Sequence, residues 1–77
     1  MPTVRIRTAS DLGLALAEAR LAMGLTQAEV AAATGIERTY LARMEGAKGT
    51  LFLERALRVL RRLGAEVTVT FPSSGKG

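Results

Sequence analysis

Apolar residues in the first third of the chain recur at helical spacing. Leu12, Leu16, Ala19 and Met23 fall at steps of four, three and four, the stripe expected of a helix over residues 11–23. Either Ser10 or Asp11 can cap its start, and Gly24 stands where a C′ glycine is expected. Thr26-Gln27-Ala28-Glu29 has the form of a capping box and opens a second helix, with Val30 and Ala31 facing inward. That helix ends near Thr34-Gly35, where glycine can turn at positive φ without a Cβ clash. Ile36 then plugs the turn, and a third helix over 37–45 buries Leu41 and Met44. After the loop Gly46-Ala47-Lys48-Gly49, a fourth helix over 51–63 carries Leu53, Ala56, Leu57, Leu60 and Leu63 on one face and Arg55, Arg58, Arg61 and Arg62 on the other. From residue 65 to 71 the period changes to two. Val67, Val69 and Phe71 alternate with Glu66, Thr68 and Thr70, a strand pattern. A lone strand leaves its ladder unpaired, which favours pairing with the same strand of a second copy. Val4-Arg5-Ile6-Arg7 also alternates and is the one candidate mate inside the chain.

The chain divides accordingly into an N-terminal arm with a short strand (1–9), a helical unit (10–63), a dimerisation strand (64–71) and a flexible tail (72–77). Its 77 residues hold one domain, whose monomer core is marginal at this size. Neither cysteine nor histidine is present. Disulfides, Cys-rich zinc sites and histidine-based catalysis are therefore set aside. No nucleophile–base pair or phosphate-loop glycine pattern stands out, so neither an enzyme nor a cofactor is expected. Dimerisation is the remaining route to more buried surface. Eleven Lys+Arg against seven Asp+Glu give +4, a field that suits a polyanion such as nucleic acid. Apolar stretches fall short of the about 20 residues that span a bilayer. The start shows no secretory signal pattern, so no membrane partner and a cytoplasmic location are expected.

Two short helices joined at a glycine, with polar side chains on the outer face of the second, present a helix to the DNA major groove. The run Gly24-Leu25-Thr26-Gln27-x-x-Val30-Ala31-x-x-x-Gly35-Ile36, completed by Leu41, Met44 and Glu45, resembles the Xre/Cro-type helix-turn-helix regulators. The ending Leu57-x-Val59-Leu60-x-x-Leu63-x-x-x-Val67-Thr68-Val69 is similar to HipB, the antitoxin partner of the HipA kinase. That resemblance covers Leu12 to Phe71. It implies a mainly α, lambda-repressor-like bundle of four helices, with a C-terminal β-strand pairing across a homodimer. It also implies double-stranded DNA as partner, and a HipA-like toxin kinase as a second one.

A recognition helix reads base edges with its N-terminal residues, and the preceding helix start binds phosphate. The reading positions are then Glu37, Arg38, Thr39 and Arg43, with Tyr40 and Ala42 beside them. Arg38 suits bidentate contact with guanine, and the alternative for Arg38 and Arg43 alike is solvated surface of a short helix. Thr39 can hydrogen-bond a base or pack on a thymine methyl, and Tyr40 can lie along the backbone. Glu37 either caps the helix, accepts from a cytosine amino group, or repels phosphate. Thr26 is a cap first and a phosphate ligand second. The resemblance implies that Gln27 binds phosphate and buttresses the recognition helix, and that Arg20 and Glu45 form a partly buried structural ion pair. Lys48 offers a nonspecific phosphate contact or is a solvated loop lysine. The four arginines of the last helix read as its wet face, and Arg5 and Arg7 as solvated ends or an arm reaching DNA. Leu57, Leu60, Val67, Val69 and Phe71 read as core and dimer interface. Three functions follow: an autoregulatory repressor of a palindromic operator, an antitoxin that also binds DNA, and, with Glu37 in the reading face, a domain that has lost DNA binding and only dimerises or scaffolds.

Overall fold

The computed structural model describes residues 1–73. In chain order the elements are β1 (Thr3–Ile6), α1 (Ala9–Ala22), α2 (Gln27–Thr34), α3 (Arg38–Glu45), α4 (Leu51–Arg62) and β2 (Val67–Thr70). The architecture is mainly helical, four helices with one two-stranded antiparallel sheet. Residues 74–77 of the expected tail lie outside the described residues. Among the described residues no helix is long and apolar enough to cross a membrane.

The start of α1 corrects the expected cap. Thr8, rather than Ser10 or Asp11, takes the N-cap: its hydroxyl accepts the Asp11 N–H at 3.1 Å. The Asp11 carboxylate in turn accepts the N–H groups of Arg7 (2.9 Å) and Thr8 (3.1 Å). A capping box needs its acid three residues after the hydroxyl, and only Thr8 places Asp11 there. These bonds, the Arg7 N–H foremost, hold the Asp11 carboxyl below its ordinary value of 3.8.

Small residues set the depth of α1. A Cβ on Gly13 would stand 2.6 Å from the Glu45 carbonyl oxygen and 2.9 Å from that of Met44. Glycine therefore lets α1 meet the end of α3 backbone to backbone. Ala9, Gly13 and Ala15 are buried, whereas Leu12, Leu16 and Ala19 are half-buried flanks and Met23 is exposed. The expected leucine stripe is thus the shoulder of the contact, not its centre. At the other end of the helix-turn-helix, Gly35 ends α2 in the left-handed region at φ 76°, as the sequence requires.

The strand at the C-terminus finds its mate inside the chain. β1 and β2 pair antiparallel with Val4 opposite Val69 and Ile6 opposite Val67. Directly opposed residues share a face, so these four apolar side chains point inward together. The inner face packs on Ala15 and Leu57, with Leu12 and Leu53 around them. Past the strand, the Phe71 N–H donates to the Pro2 carbonyl at 3.2 Å and its ring is buried. Arg5, read as a solvated end or arm, pairs with Glu66 at 2.9 Å. Arg61, read as wet-face, donates to the Arg7 carbonyl and fastens α4 to the sheet. Of the residues read as core and dimer interface, Leu57 and Phe71 are buried within the chain. Leu60, Val67 and Val69 are half-buried there. Leu63, expected on the inner stripe of α4, is the C-cap residue and is exposed.

Gly13→Ala forces two backbone segments apart and is expected to cost about 1–3 kcal/mol. At roughly 4–8 °C per kcal/mol for a small domain, thermal melting would show the loss. An unchanged melting temperature would mean that the α1–α3 contact can open freely.

Candidate nucleic-acid interface

The interface is built from the polar residues that hold α2 and α3 together. Glu45, in the last turn of α3, has its side chain only 8% exposed. Its carboxylate accepts Arg20 Nε at 2.8 Å and Nη2 at 3.0 Å, a two-pronged contact from α1. Gln27 Nε2 of α2 donates to the same carboxylate at 3.0 Å. Arg20 also donates through Nη1 to the Leu25 carbonyl at 2.8 Å, fixing the α1–α2 connection. Three helices are thereby tied to one acid. The Arg20 hydrogen bond is the main reason that the Glu45 carboxyl lies below its ordinary value of 4.5; burial opposes it and Gln27 adds to it.

The implied Arg20–Glu45 pair and the buttressing part of the Gln27 reading are both present in this geometry. With its amide nitrogen on Glu45, Gln27 is half-buried. The Thr26 hydroxyl accepts the Glu29 N–H at 3.1 Å, and the Glu29 carboxylate accepts the Thr26 N–H at 2.8 Å, completing the expected box. This leaves the first-turn N–H groups of Gln27 and Ala28 for an outside acceptor. An open groove runs from this helix start to the first turn of α3, lined by Leu25, Thr26, Gln27, Ala28 and Arg38. The structure therefore brings Arg38 alongside the α2 N-terminus, where helix-end N–H groups favour an anion.

Along α3, Leu41 is buried while Arg38, Thr39, Tyr40 and Arg43 are exposed. Thr39 and Arg43 lie one turn apart on the outward face. Glu37 occupies the N-cap position, but its side chain makes no capping hydrogen bond. Of its three readings, the capping one is not realised. Arg43 extends toward the following loop: its Nη2 is 3.2 Å from where a Cβ on Gly49 would lie. The Lys48 N–H donates to the Arg43 carbonyl at 2.9 Å, so the loop folds back on the helix. Tyr40 and Lys48 stand apart from the Arg38 groove and share a recess with Leu16, Met44 and Phe52. Sequence reasoning missed the bond from Arg20 to the Leu25 carbonyl, for which side-chain pattern gives no signal. The loop also holds Ala47 at φ 58°, a left-handed position usually left to glycine.

Residues 11–70 match the family described as helix-turn-helix domain, and the chain belongs to it. The match supports its likeness to the Xre-type regulators and makes it a DNA-binding regulator. β1 lies before the matched segment. No curated protein and no solved structure matches the chain.

Because the Glu45 carboxyl is lowered on folding, its contribution is present above about pH 4.5 and is lost as the pH falls through the lower folded value. Glu45→Gln leaves the Arg20 charge without its partner and is expected to cost about 1–3 kcal/mol at pH 7. The gap in melting temperature between wild type and variant should narrow on acidification, since a protonated Glu45 has lost the same ion pair. A gap that stays constant from pH 7 to pH 3 would refute the assignment.

Proposed function

We propose that this chain is a non-enzymatic transcriptional repressor that reads a palindromic operator as a homodimer and represses its own operon. The observation that carries the proposal is the clamp on Glu45. It fixes α2 against α3 and leaves Arg38, Thr39 and Arg43 outward with no ion pair among the described residues. In this reading Arg38 takes a guanine edge, Thr39 and Arg43 read the neighbouring bases, and the α2 N-terminus with Thr26 and Gln27 holds a phosphate. Lys48 and Tyr40 contact the DNA backbone away from the Arg38 groove, and Glu37 discriminates through its free carboxylate. Half-sites of such an operator would be about 34 Å apart, one turn of DNA. The dimer would form through the outer edge of β2, whose inner edge is taken by β1.

A second reading, an antitoxin of the HipB branch that neutralises a HipA-like kinase, is favoured by one observation. α4 keeps Phe52, Val59 and Leu63 exposed, apolar surface that a DNA reader alone does not need.

Fluorescence anisotropy against the DNA immediately upstream of the gene tests the first reading. Arg38→Ala should weaken binding about 5- to 150-fold, the equivalent of the 1–3 kcal/mol of a bidentate base contact. Affinity for scrambled duplex should fall much less. Equal, weak binding of both duplexes by the wild type would remove operator reading from the proposal. A stoichiometry of one chain per duplex would remove the dimer.

A further inference from the structure

Helix α4 carries one wide apolar arc, and the fold covers only part of it. Leu53, Ala56, Leu57 and Leu60 face the sheet and are buried or half-buried. Phe52, Val59 and Leu63 stand 85%, 56% and 74% exposed. Spaced at seven and four, these three fall within a narrow arc of the helix and form a stripe about 16 Å long, at roughly 1.5 Å per residue. Arg55 and Arg62 lie along its outer flank, with Arg58 beyond them. Val59, Leu63, Arg58 and Arg62 together border one shallow, almost wholly apolar depression. None of Arg55, Arg58 and Arg62 forms an ion pair or side-chain hydrogen bond among the described residues, in contrast to Arg61 and Arg5.

We propose that this face docks an acidic amphipathic protein segment, its apolar side chains covering Phe52, Val59 and Leu63 and its carboxylates meeting Arg55, Arg58 and Arg62. Charge complementarity selects that occupant. An apolar stripe flanked by unpaired guanidinium groups matches an apolar stripe flanked by carboxylates. A second copy of the chain fits poorly. Antiparallel two-fold packing brings the same flank of each helix together, setting arginines against arginines, and Glu54 is the one acid on α4. Nucleic acid would use the cations but leave Phe52, Val59 and Leu63 in water. The docking site is independent of operator reading, because none of its residues lies on α3 or in the groove beside α2.

The test uses the full chain with a fluorescein-labelled, helix-forming 18-residue peptide bearing leucines on one face and glutamates along its flanks. A twin peptide carries glutamine for each glutamate. Saturable binding of the acidic peptide is expected, with the twin at least roughly tenfold weaker. Arg58→Glu/Arg62→Glu and Leu63→Ser should each weaken it to a similar extent, with circular dichroism and melting unchanged because these side chains are exposed. No binding, or binding indifferent to the charge reversal, would overturn the proposal. Sedimentation that shows self-association lost in Leu63→Ser would overturn it in favour of a second copy. If Arg58→Glu/Arg62→Glu instead weakens duplex DNA binding and lowers its salt slope by about two, the arginines serve phosphate and the proposal fails. Arg38→Ala should leave peptide binding intact, which separates this result from the fate of the DNA reading.

Discussion

The helix-turn-helix depends on a single carboxylate. Glu45 closes α3, and its side chain accepts from Arg20 on α1 and from Gln27 at the start of α2. Its carbonyl oxygen meanwhile lies against Gly13 of α1. Side chain and backbone of one residue thus set the places of three helices. The arrangement suits a short chain. Around α2 and α3 the buried apolar residues are only Ala31 and Leu41, too little surface to specify an angle between helices. A charged group taken from water demands partners in defined directions, and that demand supplies the specificity a larger core would otherwise give. Two prongs from a planar guanidinium fix orientation as well as distance.

A second, apolar centre lies on the other side of α1. Ala15 meets Ile6 and Leu57 there, roofed by the paired valines of the sheet. α1 is accordingly two-sided, with Gly13 on α3 and Ala15 on the sheet and α4. No large side chain is fully buried anywhere among the described residues. Stability at this size comes from close approach of small residues and from tethers at the edges. Arg61 on the Arg7 carbonyl is one such tether, whereas Arg5 and Glu66, both exposed, pair with little effect on stability. The paired strand also removes one open edge without a second chain, leaving only the outer edges available for partners.

Much of this was legible in the sequence, and the exceptions share a cause. The Thr26 box, the turn at Gly35 and the burial of Leu41 follow from local rules that need only neighbours in the chain. The Glu45 clamp was legible only because the pattern around it resembles a known family. Gly13 was not. Inside a helix a glycine reads as a penalty of about 1 kcal/mol, and its use appears only when the backbone of α3 is placed against it. The mate of β2 was ambiguous because four alternating residues at the N-terminus weigh little until the register shows Val4 and Ile6 opposite valines. On α4, periodicity gives apolar residues at helical spacing but not which part of their arc the sheet covers. Leu63 therefore reads with the inner face, and Phe52 and Val59 read with none.

The charge distribution over the interface bears on how such a protein can discriminate among DNA sites. Glu37 stands at the start of α3 with its side chain free of the helix N–H groups, next to the exposed Arg38. A carboxylate there opposes the phosphate-attracting field that Arg38 and the α2 N-terminus create, so it works against nonspecific affinity. The same carboxylate costs least at a site where a base-edge donor meets it, as a cytosine amino group does. Under the proposed operator reading, Arg38 and Glu37 would present a donor fork and an acceptor to the bases. A wrong sequence would then leave one or both unsatisfied. On that reading the loss in general attraction and the gain in discrimination would come from one residue, on a helix that the Glu45 carboxylate ties to α1 and α2.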